Sequence, residues 1–326
     1  MATTTSEVAD LFTTALSVEK LDTFLFRSKH LSTPRGARGV FGGQIISLAL
    51  VAATECVDSK YALHSMHCYF LYSATDALPL LLYVEKVREG RTYSTRSVKA
   101  VQNGRAVFVM MCSFKTPEPG AGEFALPAPK NVQPPELCLN AETHYQNLLG
   151  RSDLTLQQRK RLETSLADRR RSPIDISFAG VIPYTEGVKD GELQRMFWMR
   201  PKSVPKMNMA LRKCVIAYLS DLRFLTTAVE ASGLSFSHSA PPAQQVGMTS
   251  SLDHSIFFYT EEFDVNDWVL YAMDAVRTGS GRGVSTGRIY TRHGDLIAII
   301  TQEGVIRPKQ SYAPQKEATE VERARL

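Results

Sequence analysis

The stretch from Leu63 to Phe114, LHSMHCYFLYSATDALPLLLYVEKVREGRTYSTRSVKAVQNGRAVFVMMCSF, is answered by the stretch from Leu252 to Gly304, LDHSIFFYTEEFDVNDWVLYAMDAVRTGSGRGVSTGRIYTRHGDLIAIITQEG. Both run through an aromatic strand, a gap, a long strand, a Gly-Arg-x-x-Ser step, a second long strand, a turn and an apolar strand. Matched positions lie 190 to 191 residues apart. That offset sets His64 against His254, Ser94 against Ser285 and Gly104 against Gly294. One fold unit is therefore expected twice, with no requirement that the two copies share the same work.

Outward from this repeat, each copy is preceded by a helical stretch. Gly42-Gly43-Gln44 opens the first, and IISLALVAATECV runs on apolar almost all round, as a helix wrapped in a curved sheet should. The second covers roughly 208–232 and contains Ala217-Tyr218-Leu219-Ser220-Asp221. Strands are expected near 64–72, 80–88, 91–101 and 105–115, then near 192–200, 252–260, 268–277, 282–291 and 295–307. Asn103-Gly104 marks a tight hairpin and His293-Gly294-Asp295 the matching turn. Residues 12–30 read as a leader strand or helix, and Thr33–Gly39 as a mobile loop rich in Gly and Arg. Six prolines between Thr116 and Pro135 mark a linker, followed by helical sequence from about 140 to 171. The expected division is 12–116, a linker and helical segment at 117–172, a second unit at 173–308 and a tail at 309–326. Each unit is one helix plus an antiparallel sheet, an α+β arrangement, because a sheet with one apolar face needs a helix to cover it.

Composition limits the function classes. The chain has 326 residues, 44% of them hydrophobic, and a formal net charge of +5. That mild excess suits an anionic partner, while no nucleic-acid recognition module is present. The densest basic run, Arg159 to Arg171, reads either as a solvated helix face or as a docking surface for a phosphate-bearing substrate. Five scattered cysteines without Cys-x-x-Cys spacing favour free thiols over a disulfide framework or a zinc site. No run of 18 apolar residues occurs, so stable membrane insertion is not expected. Gly-Ser-Gly-Arg-Gly at 279–283 lacks the Lys-Ser/Thr ending of a phosphate loop and reads as a hairpin. A Gly-x-Ser-x-Gly elbow is missing as well. The terminal Ala324-Arg325-Leu326 keeps the small, basic, leucine character of the Ser-Lys-Leu peroxisomal address.

Three polar residues of the second copy stand out. Asp221 interrupts the apolar helix AYLSDLRFL, Gln302 interrupts the apolar strand DLIAIITQEG, and Ser251 precedes LDHSIFFY. A buried carboxylate or amide is expensive unless it is paired or functional. The three residues could converge on one water, or serve as separate caps and surface positions. In the first copy, Cys112 corresponds to Gln302, and Gln44 is set opposite Asp221. Free amides at Gly42 and Gly43 could hold an anion or polarise a carbonyl. His64 is read as a structural or substrate-positioning residue; spaced three from His67 in a strand, it makes poor metal geometry.

In GGQIISLAL, LHSMHCYFL, VREGRTYSTRSVKAVQNGRAVFVMMCSF, AYLSDLRFL, SLDHSIFFY and TQEGVIR the chain closely resembles the TesB-like, or type II, acyl-CoA thioesterases, whose members include peroxisomal enzymes. The resemblance implies a double hotdog, two long helices wrapped by joined antiparallel sheets, further assembled into a homodimer. It also implies that Asp221, Ser251 and Gln302 are catalytic, with Thr249 and Ser250 as alternatives for the hydroxyl. The implied reaction is hydrolysis of a fatty acyl-CoA by water, without metal or redox cofactor; coenzyme A is part of the substrate. The implied compartment is the peroxisome matrix, reached through an import receptor that reads the C-terminal tripeptide, with the cytoplasm as the alternative. The rival readings are a hydratase-like hotdog protein and a non-catalytic binder of acyl thioesters.

Overall fold

The computed structural model describes residues 12–309 except 119, 121, 181–192, 205–208 and 237–239. The expected targeting tripeptide and the expected strand start at Glu192 lie outside the described residues. The chain begins with a short hairpin, β1 (Val18–Asp22) and β2 (Leu25–Ser28). Helix α1 (Gly42–Thr54) follows, then β3 (Ala62–Phe70), β4 (Leu81–Glu89), β5 (Tyr93–Gln102) and β6 (Arg105–Lys115). The connecting segment carries β7 (Leu139–Asn140), α2 (Ala141–Leu149) and α3 (Leu156–Arg171). Here the expected single helix is two, because the chain turns after Gly150 and restarts at Thr155, whose side chain forms a capping box with Gln158.

The second unit comprises β8 (Ile174–Phe178), β9 (Gln194–Pro201), α4 (Met209–Ser220), α5 (Phe224–Ala231), β10 (Val246–Ser251), β11 (Asp253–Phe258), β12 (Val269–Gly279), β13 (Arg282–Thr291) and β14 (Leu296–Pro308). The strands form one open sheet in the order β1-β2-β4-β5-β6-β3-β11-β14-β13-β12-β9-β8-β7, with β10 pairing β14. The two units join where β3 pairs antiparallel with β11, Met66 against Ile256 and Cys68 against His254. Residues Gly43 to Ala53 of α1 are all buried, as the apolar sequence requires. Each such Leu or Ile contributes about 1.5–3 kcal/mol. Helix α1 lies against α4, and the Ser47 hydroxyl donates to the Cys214 carbonyl at 2.7 Å. This is a double hotdog.

Turn chemistry follows the sequence. Asn103 and Gly104 have φ of 49° and 71°, and Ser280 and Gly281 have 50° and 73°, so both form hairpins with two left-handed residues. The helix expected over 208–232 is broken at Asp221–Arg223, where Arg223 takes φ of 62°.

Bulges refine the internal repeat. In unit one the register shifts between Leu63 and Ser65, Lys86 and Arg88, and Ala100 and Val101. In unit two it shifts between Ser251 and Ser255, Ala275 and Arg277, and Ile289 and Tyr290. Aligning these landmarks keeps Cys112 against Gln302 but corrects two equivalences. Ser285 answers Arg96, not Ser94, since each faces the bulge residue on its neighbour (Ala275 and Lys86). His254 answers Met66, not His64. Met66 faces Cys112, and His254 stands one step along the ladder from the Ser255–Thr301 pair, facing Gln302. The offset is 188 residues here against 190 at Cys112 and Gln302, because the second unit carries one more residue before β12 and one more in the β13–β14 turn.

Candidate active site

Asp221 sits in the break between α4 and α5, and the break aims its carboxylate across the helix pair. Oδ2 accepts the Gly43 amide of α1 at 2.8 Å, and Oδ1 accepts Gln302 Nε2 at 3.3 Å. A carboxylate at a helix N-terminus satisfies an amide the helix cannot and meets the positive end of its dipole. Gln302 Nε2 also donates to Ser251 Oγ. Of the three hydroxyl residues weighed for this position, Ser251 is the one joined to Gln302; Ser250 Oγ turns to the Ser251 carbonyl. Asp221, Ser251 and Gln302 are thus brought together from a helix end, a strand end and the middle of β14.

Gln302 is only 2% exposed, and its orientation is held from behind by His254, which is fully buried. His254 Nδ1 lies 3.1 Å from Gln302 Oε1, and Nε2 lies 2.9 Å from Ser220 Oγ. Burial drives the imidazole pKa down to about 4, partly opposed by the Gln302 bond, so the ring is neutral. An amide oxygen only accepts, which places the single ring proton on Nδ1 and leaves Nε2 as an acceptor facing the Ser220 hydroxyl, whose one proton is shared with the Ala217 carbonyl at 2.8 Å. The Gln302 NH2 group is therefore fixed toward Asp221 and Ser251. His254 is the residue whose part in the site the sequence reading missed; its signal was its place in Asp253-His254-Ser255, directly after Ser251 and Leu252.

Burial pushes the Asp221 pKa up to about 7, and the Gly43 amide and Gln302 hold it from rising further. A carboxyl poised there can exchange a proton with a water near neutral pH. Asp221 and Ser251 line a cleft of about 600 Å³ together with Gly42, Ile45, Phe70 and the 34–41 loop. A Cβ on Gly42 would stand 2.7 Å from Asp221 Oδ2 and 3.0 Å from Phe70, so this close approach requires glycine. The Gly43 amide is occupied by Asp221, whereas the Gly42 amide has no partner among the described residues.

The remaining expectations fall elsewhere. His64 Nε2 lies 2.8 Å from Ser113 Oγ and its ring packs edge-on to Tyr93, so the structure does not bring it to this cleft. Its position beside the bulge turns it off the inward face that His254 occupies. Gln44 is not the counterpart of Asp221: it stands in the first turn of α1, and its amide bonds Ala15, His30 and Ser32. In unit one the matching place is a smaller cleft of about 380 Å³, lined by Thr54, Asp58, Tyr61, Leu63 and Phe114. There the turn and strand start from Asp58 to Leu63 answer Val246 to Ser251.

Two family models match the chain. The acyl-CoA thioesterase N-terminal domain covers residues 30–115, and the acyl-CoA thioesterase C-terminal domain covers 154–306. The chain is 37% identical over 309 residues to acyl-coenzyme A thioesterase 8 of Homo sapiens, covering 94% of this chain and 92% of that protein. It is 24% identical to the peroxisomal acyl-coenzyme A thioester hydrolase 1 of Saccharomyces cerevisiae, covering 86% and 90%. Among solved structures, the acyl-CoA thioesterase II TesB2 of Mycobacterium marinum superposes with a TM-score of 0.68 at 26% identity, over 93% of this chain and all of that one. With both domain models matched in order and the human relative aligned along nearly its whole length, the chain belongs to the acyl-CoA thioesterase family of hotdog proteins.

Proposed function

We propose that the protein hydrolyses fatty acyl-CoA to a free fatty acid and coenzyme A by direct attack of water. The observation that carries this reading is the convergence of Asp221, Gln302 and Ser251, with Asp221 and Ser251 lining one cleft and Gln302 buried behind them. Ionised Asp221 takes the proton of a water that Ser251 and the Gln302 amide orient toward the thioester carbon. The tetrahedral oxyanion draws on the Gly42 amide at the start of α1. Collapse of the intermediate expels the CoA thiolate, which takes up a proton. An acyl-serine path is disfavoured, because the imidazole nearest Ser251 gives its Nδ1 proton to Gln302 and its Nε2 to Ser220, leaving no base for the hydroxyl.

The test is free-thiol release from palmitoyl-CoA by wild type and by Asp221→Ala and Gln302→Ala. Unchanged turnover in both variants would sink the assignment. Retained acyl-CoA binding without any turnover in wild type would instead support the non-catalytic reading.

The peroxisome is the compartment we infer, from Ala324-Arg325-Leu326 together with the likeness to the yeast peroxisomal thioester hydrolase. Deleting the tripeptide should leave a tagged chain in the cytosol; an unaltered peroxisomal pattern counts against the address. A homodimer is the expected assembly, to be read by light scattering.

A further inference from the structure

Among its described lining residues the cleft carries two charged side chains, and they stand at different depths. Asp221 is half-buried against the Gly43 amide and Gln302, while Arg38 is exposed on the loop before α1. The other arginine of this loop, Arg35, turns to Asp168 at 3.9 Å and is not a lining residue. The cleft is thus negative at the reacting end and positive at the mouth.

Arg38 has an aromatic neighbour there. The loop is tied to the segment that follows β3: the Val40 amide donates to the Ala74 carbonyl at 2.9 Å. A Cβ on Gly39 would stand 2.5 Å from that same oxygen and 3.0 Å from Ser73 Cβ, so the two stretches run past each other in contact. Arg38 lies two residues before Val40, Tyr72 lies two residues before Ala74, and both line the cleft. The Tyr72 amide donates to the Val107 carbonyl at 3.2 Å, which fixes its backbone to β6. Its ring is covered on one face by the Arg105 guanidinium, whose carbon lies 3.2 Å from the ring centre. Even so stacked, Tyr72 remains 51% exposed, and a ring held flat by a cation on one side offers its other side to a second planar group. An aromatic face beside guanidinium groups is the combination that holds a nucleobase by stacking and a phosphate by charge.

The distances suit such a ligand. Arg38 is four residues before Gly42, so their Cα atoms are at most about 14 Å apart, and the arginine side chain reaches further outward. We propose that Tyr72 and Arg38 form the seat for the nucleotide end of the acyl-CoA, a reading that rests on the hydrolysis assigned above. The adenine stacks on the open face of Tyr72, Arg38 takes a phosphate, and Arg105 braces the ring from behind. The pantetheine arm spans the distance from this seat to the thioester at Asp221.

The test compares kcat/KM for palmitoyl-CoA with that for palmitoyl-pantetheine, which has the same thioester and no nucleotide. In Tyr72→Ala this ratio should fall about tenfold through KM for palmitoyl-CoA, within the range of a lost base–aromatic stack, whereas Tyr72→Phe keeps the ring and should stay within about twofold of wild type. Arg38→Gln should lower the ratio about tenfold and flatten its dependence on salt. Arg105→Gln acts through the ring, so its smaller fall of about threefold should disappear in the Tyr72→Ala background. Calorimetry with free coenzyme A reads the same seat without turnover, and Kd should rise about tenfold in Tyr72→Ala and in Arg38→Gln. A ratio and a Kd equal to wild type in either of these two variants overturn the proposal. Wild-type protein that binds coenzyme A but cleaves neither thioester removes the hydrolase reading instead, and the calorimetry then decides the seat.

Discussion

The two halves of the sheet place the same inward positions around the same bulges and fill them with opposite chemistry. Unit one has Leu63, Met66, Arg96 and Cys112; unit two has Ser251, His254, Ser285 and Gln302. Met66 and Cys112 are apolar plugs, and Arg96 fills its position with a guanidinium bound to Glu89 at 2.6 Å and to the Cys56 carbonyl. In unit two the smaller and polar residues carry a hydrogen-bonded line from Ser220 through His254 and Gln302 to Asp221. Yet unit one is not idle: its α1 supplies the amide that holds Asp221 and the glycine that lets the carboxylate approach. On the function proposed above, the difference teaches that the duplication yields one centre per chain, assembled across the junction rather than inside one copy.

The largest effect that could break this comparison is at Asp221. Asp221→Asn should lower kcat about 10²–10⁴-fold in thiol-release assays, the range of a lost general base. Next is the Gln302 and Cys112 pair: Gln302→Leu should lower kcat by about 10²-fold, whereas Cys112→Ser should leave it within about twofold. Equal losses at both positions would end the claim that only one unit works.

The pH profile sharpens the same point. Activity should rise as Asp221 ionises and level off above about pH 7, and the rise should vanish in Asp221→Asn. Stability runs the other way. The folded carboxyl holds its proton more tightly than the unfolded one, so its contribution is full below the ordinary value of 3.8 and is lost as the pH climbs to about 7. Urea melts at pH 5 and pH 8 should therefore differ less in Asp221→Asn than in wild type.

Transplanting the unit-one residue, His254→Met, removes the donor to Gln302 and leaves Ser220 Oγ only the Ala217 carbonyl. We expect a loss of about 1–3 kcal/mol in stability and a fall of about tenfold in kcat, equivalent to about 1.4 kcal/mol. His64→Ala is the smallest change, within about threefold in kcat, since its partners are Ser113 and Tyr93. A His64 effect as large as that of His254 would restore the equivalence of the two histidines.

Much of this was legible in the chain alone. Alternation and turn residues such as Asn103-Gly104 determined the strands, the all-round apolar run after Gly43 determined a wrapped helix, and polar interruptions at Asp221 and Gln302 singled out the residues that meet. These signals are local: periodicity, φ preference and the penalty for a bare buried polar group are written in neighbouring letters. Only the tertiary structure decided the break at Arg223, which no glycine or proline announces. It also decided the register. A bulge adds a residue without any marked letter, and His64, at the bulge, leaves the inward face to Met66 two residues on, which is the match of His254. The contact between Asp221 and the Gly43 amide spans 178 residues, and no periodicity in the sequence encodes how two helices from different copies come to lie side by side.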